Sequence, residues 1–161
     1  MSLIRLHNDD WGYESNCFVC EARNERGLRI PFFHDTDHSV VTAELSLSAD
    51  YSGAPTMVHG GVVLAVLDEA MAWACIAVAR RWAVTTETTT RFERAVRVDK
   101  PYRIEARVVE QTDSEITTAA AVLDVRGQTR ARATATFTIL GEAAMKRIAG
   151  VEDLPDAVKL D

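Results

Sequence analysis

The sequence has no surplus of positive charge. Its 18 lysines and arginines are outnumbered by 24 acids, and the net charge of −6 argues against a nucleic-acid partner. There is no low-complexity tract and no internal repeat. Cysteine is scarce: Cys17, Cys20 and Cys75 form an odd set, and Cys75 sits in the most apolar stretch of the chain. That usage fits reduced thiols and a cytoplasmic location better than a disulfide framework. Met1-Ser2-Leu3-Ile4 does not open a signal-peptide pattern. With 47% hydrophobic and 26% charged residues over 161 positions, the composition is that of a soluble globular chain, long enough for one domain with a full core.

Only one stretch is long and apolar enough to resemble a membrane span, the run from Val58 to Ala79, which ends at Arg80-Arg81. It is rich in Ala, Leu and Met and lacks Pro, so it reads as a helix. Asp68 and Glu69 lie at its centre, and each would cost about 2.5–3.5 kcal/mol in a bilayer. No second hydrophobic span accompanies it. A membrane is therefore set aside, and the helix, apolar on every face, must be enclosed by the rest of the protein.

The remaining sequence supplies a sheet. Val41, Ala43, Leu45 and Leu47 alternate with polar residues, which predicts a half-buried strand over Val40 to Ser48, with Leu28 to His34 as its hairpin partner. Residues 49–55 carry turn residues and read as a loop. After the helix, strands are predicted over Ala83 to Glu93, Tyr102 to Gln111, Ile116 to Val125 and Thr129 to Leu140. Ala131, Ala133 and Ala135 share one face with Phe137, small enough for a helix to lie close. Glu142 to Ala149 reads as a short terminal helix. Residues 1–16 read as an N-terminal arm on which Trp11 and Tyr13 pack, and 150–161 as a loose tail. The sum is one domain over 1–161, of the α+β class, with a curved antiparallel sheet around one long helix.

Cys17, Cys20, His34 and His38 have the spacing C-x2-C-x13-H-x3-H, inside the range of zinc sites. A finger of that kind needs its histidines on a helix, whereas Pro31, Phe32 and Phe33 favour an extended chain. No metal is expected; the cysteines read as small buried thiols and the histidines as surface imidazoles.

His59-Gly60-Gly61, followed by Leu67-Asp68-Glu69-Ala70, resembles the hotdog-fold acyl-CoA thioesterases of the 4-hydroxybenzoyl-CoA thioesterase superfamily, in particular the phenylacetyl-CoA thioesterase-like branch. Val84-Thr85-Thr86-Glu87 leading into Arg91-Phe92-Glu93-Arg94 resembles that branch's next strand. Gly127, the alternating alanines and Thr136-Phe137 resemble its last hairpin. Cys17-Phe18-Val19-Cys20 with Asn24, Gly27 and Leu28 resembles an N-terminal segment of many relatives. The chain departs from the pattern at Ala95, where Pro is usual, and at Glu21, where Gly is usual.

The resemblance implies hydrolysis of an acyl-CoA thioester, with no cofactor beyond the coenzyme A of the substrate. It assigns an oxyanion donor to the Gly61 N–H and a base or nucleophile to Asp68, and it matches Thr85 to a hydroxyl that places the attacking water. Gly61 and Asp68 lie seven residues apart, about 10.5 Å along a helix. The reacting carbon must be roughly 3 Å from both groups. One chain cannot supply both, so a homodimer with two equivalent sites is implied, alone or as a dimer of dimers. Glu69, about 100° around the helix from Asp68, is expected to pair with an arginine. His59 has two readings, a general base or, the one favoured, a side chain that orients the turn or binds substrate; Gly60 is expected to bind substrate. Arg91, Arg94, Arg97 and Lys100 form a basic cluster suited to coenzyme A phosphates, with Arg91 and Arg94 as the leading candidates. Trp73, Met57 and Met71 are candidates for an acyl pocket. Two other functions fit the architecture, a non-catalytic acyl-CoA binder and an acyl-CoA hydratase; hydratases of this kind usually lack HGG.

Overall fold

The computed structural model describes residues 2–11 and 14–154. The strands are β1 (Leu3–Leu6), β2 (Phe32–Asp35), β3 (Val40–Leu45), β4 (Ser52–Ala54), β5 (Met57–Val58), β6 (Ala83–Phe92), β7 (Tyr102–Gln111), β8 (Glu115–Leu123) and β9 (Thr129–Ile139). The helices are α1 (Gly60–Ala77) and α2 (Glu142–Ala149). Seven strands form one antiparallel sheet in the order β1-β2-β3-β7-β8-β9-β6, and β4 and β5 form a separate two-stranded ribbon.

The sheet encloses the helix that the sequence predicted. By length and composition α1 could cross a membrane, yet Val66, Leu67, Ala70, Met71, Ala74 and Cys75 are almost wholly buried. It packs on β3, β6, β7, β8 and β9. Ala106, Ala120, Ala131, Ala133 and Ala135 form much of the buried sheet face. Their short side chains let α1 approach, while Ile104, Ile116, Val122 and Phe137 fill the space around them. At its end α1 is stopped by Arg80, whose φ of 58° lies in the left-handed region, while the Ala79 N–H donates to the Ala74 carbonyl.

Three readings of the chain's first third are corrected. The arm over 1–16 contains β1, which pairs with β2 from Leu3 opposite Asp35 to Leu6 opposite Phe32. Leu3 and Ile4 are exposed, so backbone pairing rather than burial holds this edge strand, and it left no alternation to read. The hairpin partner of β3 is only Phe32–Asp35; residues 28–31 run into it without strand pairing. Residues 49–55 are not plain loop but a 3-10 turn over Ala49–Tyr51 followed by β4. The expected contacts of Trp11 and Tyr13 fall outside what the structure describes, as does the tail beyond residue 154.

Between β1 and β2 the chain makes a tight double turn. The Leu28 N–H donates to the Phe18 carbonyl at 2.8 Å and the Ile30 N–H to the Val19 carbonyl at 2.9 Å. A Cβ at Gly27 would lie 2.5 Å from the Phe18 carbonyl oxygen, so only glycine fits there. This turn carries Cys17 and Cys20 to the flank of α1.

Candidate functional site

The start of α1 is built by the β4–β5 ribbon. The His59 N–H donates to the Tyr51 carbonyl at 2.8 Å, and the Val58 N–H to the Val96 carbonyl at 2.8 Å. Gly53 lies directly against His59, where a Cβ would come within 3.1 Å of the His59 Cα. His59 is the N-cap, and its Nδ1 accepts the Gly61 N–H at 2.9 Å. The imidazole thus does the work that Ser, Thr, Asp or Asn usually does at this position. The ring thereby braces the turn. The consequence for Gly61 differs from expectation: its N–H is not free but capped by the ring.

Two turns further, Asp68 points toward β6. The Thr85 hydroxyl donates to Asp68 Oδ1 at 2.6 Å. A bulge makes this aim possible: the register of β6 on β9 shifts between Thr85 and Glu87, leaving Thr86 to donate its hydroxyl to the Thr136 carbonyl instead. The Asp68–Thr85 pair and the His59 turn lie on one open side of the chain, along the edge strand β6. Large apolar side chains are exposed there, Met57 at 40%, Val84 at 38% and Phe92 at 53%. The Phe92 ring lies close over Gly60, 3.6 Å from where a Cβ would be.

Glu69 faces the other way. The expected arginine partner is absent among the described residues; the Cys17 thiol donates to Glu69 Oε1 at 3.1 Å. Burial raises the Glu69 carboxyl to about 8. Cys20 is raised by its hydrogen bond with Cys17 and by burial. His34 and His38 take no part in this cluster. His38 is exposed and bonds Asp35 through Nδ1 at 2.9 Å, so the four-residue zinc spacing is not assembled. Cys17 and Cys20 are half-buried rather than fully enclosed.

The basic cluster divides. Arg94, Arg97 and Lys100 line one cleft of about 470 Å3 with Arg126 and Arg130. Arg91 does not belong to it; it lies opposite Arg132 in the β6–β9 register and lines a separate depression of about 520 Å3 with Arg107, Ala119 and Ala121. The Arg94 cleft is tied to the helix start, because Arg97 bridges Met57 and its guanidinium bonds the Thr56 hydroxyl at 3.4 Å. The acyl-pocket candidates also divide: Met71 is core, Met57 is exposed, and Trp73 lines a cavity of about 200 Å3 with Cys17, Glu69 and Trp82.

With this geometry in place, residues 56–131 match the family model of the thioesterase superfamily. The chain has the hotdog fold of that superfamily. A crystal structure of a thioesterase superfamily protein superposes with a TM-score of 0.72 at 24% identity, over 81% of this chain and 64% of that one. This chain therefore spans less than two-thirds of that relative's length. A hypothetical thioesterase from Streptococcus pneumoniae, crystallised with coenzyme A, gives a TM-score of 0.60 at 18% identity, over 63% of this chain and 79% of that one. The E. coli PaaI protein of the phenylacetic acid degradation operon gives 0.59 at 19% identity, over 64% of this chain and 74% of that one. No curated protein matches. The likeness read from the sequence is thus matched by these comparisons, and the hotdog fold is the expected one.

Proposed function

We propose that the protein is a cytoplasmic acyl-CoA thioesterase acting as a homodimer, alone or paired into a dimer of dimers. The observation that carries this reading is the Asp68–Thr85 hydrogen bond at 2.6 Å, on the open side of a thioesterase-type fold. Asp68 acts on the thioester carbonyl, as base for a water or as the attacking carboxylate, and Thr85 holds it in place. With water as nucleophile, its oxygen bonds to the acyl carbon and its proton passes to Asp68. The C–S bond then breaks, and the coenzyme A sulfur takes up a proton. No cofactor enters the reaction. The three free cysteines support the reducing location.

The oxyanion donor is the Gly61 N–H of the partner chain. Seven residues of helix separate it from Asp68 of its own chain, about 10.5 Å. A second copy is supported by β6, ten residues long and, among the described residues, unpaired on its outer edge, and by the exposed Val84 and Phe92 along it. The His59 cap must open for the donor to act. Losing an N-cap costs about 0.5–2 kcal/mol. One oxyanion donor contributes about 2.7–4 kcal/mol in the transition state. Exchange of the imidazole for the developing oxyanion is therefore favourable. His59→Asn, which keeps a capping oxygen and cannot serve as a base at neutral pH, is expected to retain kcat within about tenfold; a loss above about 10²-fold would put His59 in the chemistry.

Arg94, Arg97 and Lys100 are the proposed contacts for coenzyme A phosphates, with Arg91 outside that cleft. Arg94→Ala combined with Arg97→Ala is expected to raise KM about tenfold or more at low salt with little change in kcat, since exposed charges contribute to binding rather than to the reacting centre. Arg91→Ala should leave both nearly unchanged. Equal effects from the two would mean that the cleft is not the nucleotide site.

One observation favours a second reading, a non-catalytic acyl-CoA binder: the donor N–H is already occupied by His59. Turnover of an acyl-CoA panel with free thiol as readout separates the two. Thiol release from at least one acyl group supports the enzyme. Saturable binding without release from any supports the binder.

A further inference from the structure

The Cys17, Cys20 and Glu69 side chains form a cluster that the proposed hydrolysis does not use. Their ligand atoms, two sulfurs and a carboxylate oxygen, all lie within 4.8 Å of one another. Cys17 and Glu69 are 52 residues apart in sequence, and the contact joins the N-terminal turn to α1 one residue beyond Asp68. We infer that this cluster is a binding site for one zinc-class divalent cation, held by Cys17 Sγ, Cys20 Sγ and a Glu69 oxygen. The expectation of no metal rested on His34 and His38; the fold replaces them with a carboxylate that sequence spacing does not reveal.

The donor set suits such an ion, which takes thiolates at about 2.3 Å and carboxylate oxygens at about 2.0–2.2 Å. A tetrahedral ion with those bond lengths holds its ligands about 3.4–3.8 Å apart. The Cys17–Glu69 pair, at 3.1 Å, needs to open by only a few tenths of an ångström. Outer groups are also in place. The Cys20 N–H donates to Cys17 Sγ at 3.4 Å, and Asn8 Nδ2 donates to Cys20 Sγ at 3.6 Å and to Glu21 Oε2 at 3.0 Å. Such donors orient metal-bound thiolates. The cavity of about 200 Å3 beside Cys17 and Glu69 provides entry and room for a water as fourth ligand. Among the described residues no lysine, arginine or histidine bonds any of the three groups, so the cation would supply the missing positive charge. On binding, each thiol and the protonated Glu69 carboxyl release their protons to solvent, and the two sulfurs and a carboxylate oxygen each donate a lone pair to the metal. The site is distinct from the Asp68–Thr85 pair, and its presence does not depend on thioester hydrolysis.

Cobalt(II) added to the full-length, reduced, metal-stripped protein tests this inference. One cobalt per chain is expected, with sulfur-to-cobalt charge-transfer absorption in the near ultraviolet and tetrahedral d–d bands in the visible. Cys17→Ser and Cys20→Ser should each weaken the charge-transfer band, and the double variant should abolish it. Glu69→Gln should keep the band and bind at least about tenfold more weakly. Bound cobalt should also protect Cys17 and Cys20 of the unmutated chain from alkylation, a readout that survives if the variants fail to fold. Absence of the band in the reduced parent, its survival in the double serine variant, or alkylation of both cysteines at an unchanged rate would overturn the inference.

Discussion

Asp68→Asn is expected to lower kcat by about 10²–10⁴-fold, the usual cost of removing a general base. Asn nearly matches the shape of Asp and can still accept the Thr85 hydroxyl bond, so α1, β6 and the open side between them should keep their geometry. It cannot take a proton or attack a carbonyl at neutral pH. Because the lost interaction belongs to the transition state, kcat and kcat/KM should fall together while substrate binding is retained. Glu69→Gln is the internal comparison. Glu69 sits one residue away but faces the Cys17 side of the helix, so its replacement should cost far less activity. Steady-state kinetics on any acyl-CoA that the parent hydrolyses, with circular dichroism to check folding, measures both. Parent-like turnover by Asp68→Asn would remove Asp68 from the mechanism.

Leu67→Ala should produce the largest stability loss. Leu67 has no exposed surface and stands at the middle of α1, inside the cluster that includes Val41, Ile104, Ile116 and Phe137. The alanines facing α1 are already small, so neighbouring side chains have little reach with which to fill the space left behind. Leu-to-Ala changes at such sites cost about 2–5 kcal/mol, against a total stability of about 5–15 kcal/mol. For a domain of this size that corresponds to a fall in Tm of roughly 4–20 °C. Leu67→Met, which keeps volume, should cost less than about 1.5 kcal/mol. Thermal unfolding followed by calorimetry distinguishes the two, and an unchanged Tm for Leu67→Ala would contradict the enclosed position of the helix.

The parts of this fold that were legible in the sequence are those whose burial imposes a period. Ala131, Ala133, Ala135 and Phe137 alternate because one face of β9 meets α1. Val41, Ala43 and Leu45 alternate for the same reason on β3. The β1 strand was not legible because Leu3 and Ile4 face solvent and its hydrogen bonds to β2 carry no side-chain signature. At the candidate site, the enclosed apolar helix points to Asp68 and Glu69 together, and only the resemblance favours Asp68 and Thr85, since a threonine in a threonine-rich strand looks like an ordinary β-former. The bulge that turns Thr85 inward is a backbone event with no residue code of its own. The His59 cap spans only two residues, but histidine is not among the usual capping residues. For Glu69, general grounds predict an arginine partner. Its actual neighbour, Cys17, comes from the far side of the double turn, a long-range contact without local signal.

The shared site is the central claim, and complementation between subunits tests it most directly. Asp68→Asn subunits and Gly61→Val subunits are each expected to be nearly inactive. A Cβ at Gly61 would already press within 3.1 Å of the His59 ring, and the branched valine side chain is expected to displace the ring and block the approach of substrate to the Gly61 N–H. After verified subunit exchange, a mixed dimer pairs an intact Asp68 with an intact Gly61 at one of its two sites. Return of activity toward half the parent value per mixed dimer is the result expected. Complete exchange with no return of activity would contradict the assignment of the two groups to opposite chains.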